Sequence, residues 1–193
     1  MKFYLLLPLC VFSLVACDRP AARLQHGLPM PTQTFEHVER LPVAVSEVAI
    51  VVADSVKKTY VGDYTVALDE RAKLYFSKKL EAQPVYVDQG RLVVSIERAD
   101  VKYAEKESTH SVFKKIGVDH VNEYAMNLSV RLEHQDAFGR AIYGRQLNVN
   151  KVYNVSEHDS PVMREQKRFD AIETMFEILD PEVTRVIRGE MTL

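Results

Sequence analysis

From Glu123 to His134 the chain alternates strictly. Tyr124, Met126, Leu128, Val130 and Leu132 take one parity, and Glu123, Ala125, Asn127, Ser129, Arg131 and Glu133 take the other. A period of two places each set on its own face of a strand, so this segment is predicted as a half-buried strand with its apolar face inward. Asp136-Ala137-Phe138-Gly139 reads as a turn. Beyond it Ala141, Tyr143, Leu147, Val149, Tyr153 and Val155 share one parity, while Gln146, Asn148, Asn150 and Asn154 share the other. The pair is an antiparallel hairpin with a long polar face towards water. Arg145 breaks the apolar parity and marks either an edge or a buried ion pair.

Upstream, Val48-Ala49-Ile50-Val51-Val52 is a short continuous apolar run, consistent with a strand buried on both faces. Leu92 to Ile96 opens another strand running to about Tyr103. Its apolar parity changes from Val94 and Ile96 to Ala99, Val101 and Tyr103, as a bulge after Ile96 would cause. Two segments carry the helical period instead. Leu68, Ala72, Tyr75, Phe76 and Leu80 form one stripe, with Thr65 available as a cap, Asp69 and Glu70 early, Lys78 and Lys79 late, and Pro84 beyond. Phe169, Ile172, Phe176, Leu179 and Val183 form the second, which begins at Ser160-Pro161. Asp180-Pro181 falls inside this stripe and is expected to kink the helix or restart it with Asp180 as a new cap. The element order is β-α-β-β-β-α. Two amphipathic helices need one apolar sheet face, so the fold class is α+β: a two-layer sandwich with a mostly antiparallel sheet of about four strands. A right-handed crossover is expected between the first two strands.

The N-terminus changes the picture. Lys2 precedes an apolar run from Phe3 to Ala16 that stops at Asp18-Arg19-Pro20. That run has the length of a secretory signal core and falls short of the roughly 20 apolar residues of a membrane span. It closes on Leu14-Val15-Ala16-Cys17, which has the pattern of the bacterial lipobox: an aliphatic residue, a tolerant position, a small residue, then cysteine. Cys17 is the expected lipidation site, and two or three acyl chains hold a protein firmly to a bilayer. Residues 1–16 are then the signal peptide, 17–42 a lipidated tether interrupted by Pro20, Pro29, Pro31 and Pro42, and 43–193 a single domain. Asp18 directly follows the lipidated cysteine. In the sorting system of enteric bacteria that position retains a lipoprotein in the inner membrane, so a periplasm-facing, lipid-anchored location is expected, with the inner membrane favoured over the outer.

Little else in the chain carries chemistry. Of the 2 cysteines, Cys10 lies in the signal, so the mature domain has no thiol for disulfides, catalysis or metal. With one of the 25 basic residues removed and none of the 27 acidic ones, the mature charge is 24 − 27 = −3, which argues against nucleic acid. His26, His37, His110, His120, His134 and His158 show no i, i+2 or i, i+4 spacing, and read as solvated loop histidines. Glu97, Asp100, Glu105 and Glu107 are acidic neighbours on a solvated strand. No catalytic residue, metal site or cofactor is expected. Two features suggest binding. The long connection from Ala104 to Asn122 carries Phe113 and Ile116 beside Lys114 and Lys115, a set that suits an anionic membrane surface or a partner protein, or else folds back onto the core. The polar hairpin face offers Asn127, Ser129, Arg131, Gln146, Asn148 and Asn150, as a contact surface or as a face that is simply wet.

With these elements in place the chain resembles a group of uncharacterised short lipoproteins from alphaproteobacteria. The likeness rests on the lipobox, the proline-bearing tether, Arg98-Ala99-Asp100-Val101, the Glu123-Tyr124 strand, the Gly139-Arg140 turn, and Arg164-Glu165 ahead of the Phe169–Leu179 stripe. The layout is also similar to the lipopolysaccharide-assembly lipoprotein and to the auxiliary lipoproteins of envelope lipid transporters. The resemblance implies a non-enzymatic accessory subunit that binds an envelope protein complex, with lipid as a further cargo. Asp18 departs from what an outer-membrane assembly lipoprotein carries. A structural or stress-related lipoprotein without ligand, and a periplasmic enzyme, are the competing readings. If residues 113–116 touch a partner, Phe113→Asp combined with Ile116→Asp will abolish co-purification of the complex from detergent extracts while the melting temperature holds. Unchanged recovery would sink the contact, and a lowered melting temperature would place both side chains in the core.

Overall fold

The computed structural model describes residues 35–56, 59–61, 64–84, 90–107 and 120–190. Its elements are β1 (Leu41–Val43), β2 (Glu47–Val52), β3 (Thr59–Val61), β4 (Tyr64–Val66), α1 (Leu68–Lys79), β5 (Leu80–Ala82), β6 (Arg91–Glu107), β7 (His120–Gln135), β8 (Ala141–Ser156) and α2 (Pro161–Glu190). The main sheet has four strands in the order β2-β6-β7-β8. β2 runs parallel to β6, and the other two pairings are antiparallel. The fold is therefore the α+β sandwich that the patterning implies, with α1 packed against β2 and β6 and α2 against β8.

The period-two segments explain the sheet. Met126, Leu128, Val130 and Leu132 of β7 are all buried, on the same face of the sheet as the buried Leu147 and Val149 of β8 and Leu92, Val94 and Ile96 of β6. The register of β6 on β7 shifts between Ile96 and Arg98, so Glu97 is the extra residue of a bulge. That shift carries Ala99 and Val101 back to the apolar face, where both are buried. The β7–β8 turn is built by Asp136. Its carboxylate accepts the backbone N–H of Phe138 at 2.9 Å and of Arg140 at 2.8 Å, while Gly139 supplies the φ of 79°. At the same end of the sheet, beside this turn, Gly90 leads into β6 with a φ of 41°, and a Cβ there would stand 1.9 Å from the Gln135 carbonyl oxygen. Only glycine fits that approach.

Three expectations are corrected. β2 is an edge strand, so its apolar run is not buried on both faces: Val48, Ile50 and Val52 pack on the core while Val51 is 49% exposed. Thr65 lies in β4 and does not cap α1, which starts after Ala67 without a side-chain cap. Arg145 is exposed on the edge strand β8, and takes the edge alternative over the buried ion pair. The three-residue strands β1, β3, β4 and β5 have no signal in the sequence pattern, because three residues are too few to display a period. Residues 35–42, read as spacer from their proline, contribute Phe35 and Leu41 to the core.

The β8–α2 connection is held by Asp159. Its carboxylate accepts the Ser156 N–H at 2.8 Å and pairs with Lys167 Nζ at 2.6 Å, and Ser160 Oγ accepts the Met163 N–H as the helix cap at 3.2 Å. The bond from Lys167 leads the causes that hold the Asp159 carboxyl below the usual carboxylate range, outweighing its partial desolvation. A carboxyl depressed in the folded state adds stability above its unfolded value of about 3.9, and loses it as pH falls through the lower folded value. Below about pH 4 the melting temperature of the native chain should therefore fall more steeply than that of Asp159→Asn. Circular-dichroism melts across the acid range measure this, and parallel curves would remove the role given to Asp159.

Candidate binding pocket

α1 ends on a lysine that has nowhere wet to go. Lys79 is 1% exposed, and a buried ammonium without a partner carries a desolvation penalty of several kcal/mol. Asp180, in the middle of α2, answers it. Lys79 Nζ lies 2.8 Å from Asp180 Oδ1 and 3.0 Å from Oδ2, and Tyr75, one turn earlier on α1, donates its hydroxyl to Oδ1 at 2.8 Å. Burial first, and then the bond to Asp180, push the Tyr75 phenol far above its ordinary range. Tyr75 therefore acts as a neutral donor.

Of the two alternatives at Asp180-Pro181, this arrangement removes the restarted helix. α2 is one helix of 30 residues that continues through Pro181. Asp180 does not cap a second helix, because its carboxylate is committed across to α1. Proline lacks the N–H that residue 181 would donate to the carbonyl of residue 177. The Glu177 carbonyl is thus left without its usual helical donor.

A pocket of about 390 Å³ opens beside this knot. Its floor is aromatic. Phe35 and Phe176 meet edge-on with centroids 4.9 Å apart, and Tyr75 lies 5.0 Å from Phe176 and 5.6 Å from Phe35. Phe35 holds a φ of 52°, uncommon for a bulky residue, and is 4% exposed. Its ring is seated between α1 and α2 at the expense of backbone strain. Phe169, Val38 and Pro181 complete the apolar wall, and His37, Glu39, Glu173, Glu177 and Asp180 supply the polar one. Asp180 is occupied by Lys79 and Tyr75, and Glu39 reaches Arg188 at 3.4 Å. Glu173 and Glu177 form no ion pair or hydrogen bond through their carboxylates among the described residues.

The residues singled out in the sequence fall elsewhere. Cys17, Asp18, Phe113, Lys114, Lys115 and Ile116 lie outside the described residues. The polar hairpin face is present and largely satisfied by itself. Asn150 Nδ2 donates to Asn127 Oδ1 at 2.7 Å, Gln146 Nε2 donates to Ser129 Oγ at 2.9 Å, and Arg131 pairs with Glu133 at 3.2 Å. Asp100 is paired with Arg98 at 2.9 Å. Desolvation raises its carboxyl, but the bonds from Arg98 and Asn127 together carry it below the usual range. Of the histidines, His37 lines the pocket, although its place among the prolines assigns it to the tether. Among the described residues no group of three or more His, Cys, Asp and Glu side chains could hold a metal ion. The pocket's signal in the sequence was the row Phe169, Glu173, Phe176, Glu177 and Asp180, which helical spacing places on one side of α2.

No family model matches the chain, and no curated protein matches it. Among solved structures it is similar to a minor lipoprotein from Acinetobacter baumannii, at 15% identity over 76% of this chain and 92% of that one, with a TM-score of 0.37. A neuraminyllactose-binding hemagglutinin homolog from Helicobacter pylori is similar at 8% identity over 75% and 89%, with a TM-score of 0.36. At that level the likenesses assign neither a family nor a function.

The knot predicts an asymmetry. Asp180→Ala leaves the Lys79 ammonium buried and unpaired and the Tyr75 hydroxyl without its acceptor, at an expected cost of about 3 kcal/mol. Lys79→Met removes the buried charge and leaves Asp180, which is 35% exposed, to water and Tyr75, for about 1 kcal/mol or less. Urea unfolding of both variants checks the order, and equal losses would mean the pair does not anchor α1 to α2.

Proposed function

We propose that this chain is a lipid-anchored cell-envelope protein with a non-enzymatic accessory role, in which the folded domain binds another envelope protein. The observation that carries the reading is Leu14-Val15-Ala16-Cys17 at the end of a short apolar run with one preceding lysine. Its small residue gives a signal peptidase access to the bond before Cys17, and its thiol accepts the lipid. Buried acyl chains contribute about 0.8 kcal/mol per methylene, so two chains suffice for stable anchoring. Asp18 favours the inner membrane and a periplasm-facing domain. No helix among the described residues is long and apolar enough to cross a membrane.

The accessory role is supported by what the domain offers for recognition. A pocket formed by side chains from α1, α2 and the segment around Phe35 gives a partner a recessed apolar floor with a charged rim. Lipid as additional cargo belongs to the same reading. Cells grown with labelled palmitate should label this protein, and Cys17→Ala should lose the label and move the protein to the soluble fraction. Label retained by Cys17→Ala would remove the centre of the proposal.

A further inference from the structure

We propose that the pocket beside Tyr75 and Phe176 binds an organic cation, an ammonium or guanidinium group carried on an apolar stem. Three features of the wall converge on that chemistry. The floor is apolar and aromatic, which suits a hydrocarbon stem, and the face of an aromatic ring attracts a cation. The rim is acidic: Glu39, Glu173, Glu177 and Asp180 line the pocket, and no lysine or arginine among the described residues does. Two of those acids are already answered within the protein, Asp180 by Lys79 and Glu39 by Arg188. Glu173 and Glu177 are not, although they stand at i and i+4 on α2, where like charges repel and destabilise a helix.

The third feature is the missing N–H of Pro181. It leaves the Glu177 carbonyl as an acceptor without a helical donor, on a stretch of helix whose side chains line the same pocket. An ammonium has three donors and no acceptor, and a guanidinium has five. Either would bring donors to a wall whose polar side chains, among the described residues, are four carboxylates, His37 and the Tyr75 hydroxyl committed to Asp180, and would relieve the repulsion between Glu173 and Glu177. A carboxylate or phosphate would meet the same wall with the wrong sign. The volume of about 390 Å³ is at the lower end for small-molecule sites, enough for one cationic side chain or a short amine.

The full-length protein in non-ionic detergent is titrated calorimetrically with hexylammonium, with an arginine-centred alanine pentapeptide amide, and with hexanoate. Both cations should bind saturably and hexanoate should not. Glu173→Gln combined with Glu177→Gln should weaken both cations at least tenfold while the melting temperature is kept, since both side chains stand at the rim. Tighter binding of the peptide than of hexylammonium would make the natural source a basic side chain of a protein; the reverse order would make it a free amine. Absence of saturable binding by both cations, equal binding by the double variant, or hexanoate binding as well as hexylammonium would overturn the proposal. None of these readings depends on Cys17, so a failed cation site and a failed lipid anchor are separate results.

Discussion

The ammonium of Lys79 has to be neutralised inside the protein, and much of the molecule's arrangement follows from that requirement. α1 and α2 are far apart in sequence and lie over different strands of the sheet. Hydrophobic contact alone would let them slide, since apolar surfaces are interchangeable to within a residue or two. A buried charge with one available carboxylate is not interchangeable. Lys79 and Tyr75 meet Asp180 with 2.8–3.0 Å contacts, and this fixes both the rotation of α1 and the height of α2. Phe176, one turn before Asp180, is thereby set against Tyr75, and Phe35 closes over both rings. The pocket is the space left when these three rings and the acids of α2 are held in that order.

The same requirement explains how α2 passes Pro181. In isolation an Asp-Pro pair reads as the end of one helix and the cap of the next, because aspartate caps well and proline suits a first turn. Here the carboxylate has a stronger claim on it than a backbone N–H one turn on. The apolar stripe continues across the break, with Leu179, Val183, Val186 and Ile187 all buried. Burial on both sides of Pro181 holds the helix together, and the consequence is the missing N–H that would have met the Glu177 carbonyl.

What could be read in the sequence divides along physical lines. The hairpin of β7 and β8, the bulge after Ile96, the Ser160 cap and the two amphipathic helices were legible because each repeats or obeys a local rule over many residues. The four-strand sheet followed from them. The knot and the pocket were not legible. Lys79 looks like one more basic residue in a last helical turn, favourable to the dipole and exposed. Its burial depends on where α2 lies, which is a tertiary fact. Phe35 sits near prolines with Val38 three residues on as its one apolar neighbour at helical spacing, and a single pair is too short to make a periodic signal. The polar hairpin face was legible as polar, but not as self-satisfied. Asp100, Asn127 and Asn150 become neighbours only through the registers of β6 on β7 and β7 on β8.

One face of α2 thus serves two ends within three turns. At Asp180 the acid is matched by a cation of the protein itself, and the result is a fixed joint. At Glu173 and Glu177 the acids face the adjoining pocket with no such match. Folding has no use for that second pair: a lysine at either position would give a favourable i, i+4 contact in place of a repulsive one. The desolvated end of the row, near Tyr75, cannot tolerate an unmatched charge and does not have one. The rim is wet enough to tolerate two. Unmatched acids placed where water just suffices, over a floor of aromatic rings held rigid by the joint below, give a surface that gains most when a cation displaces the water.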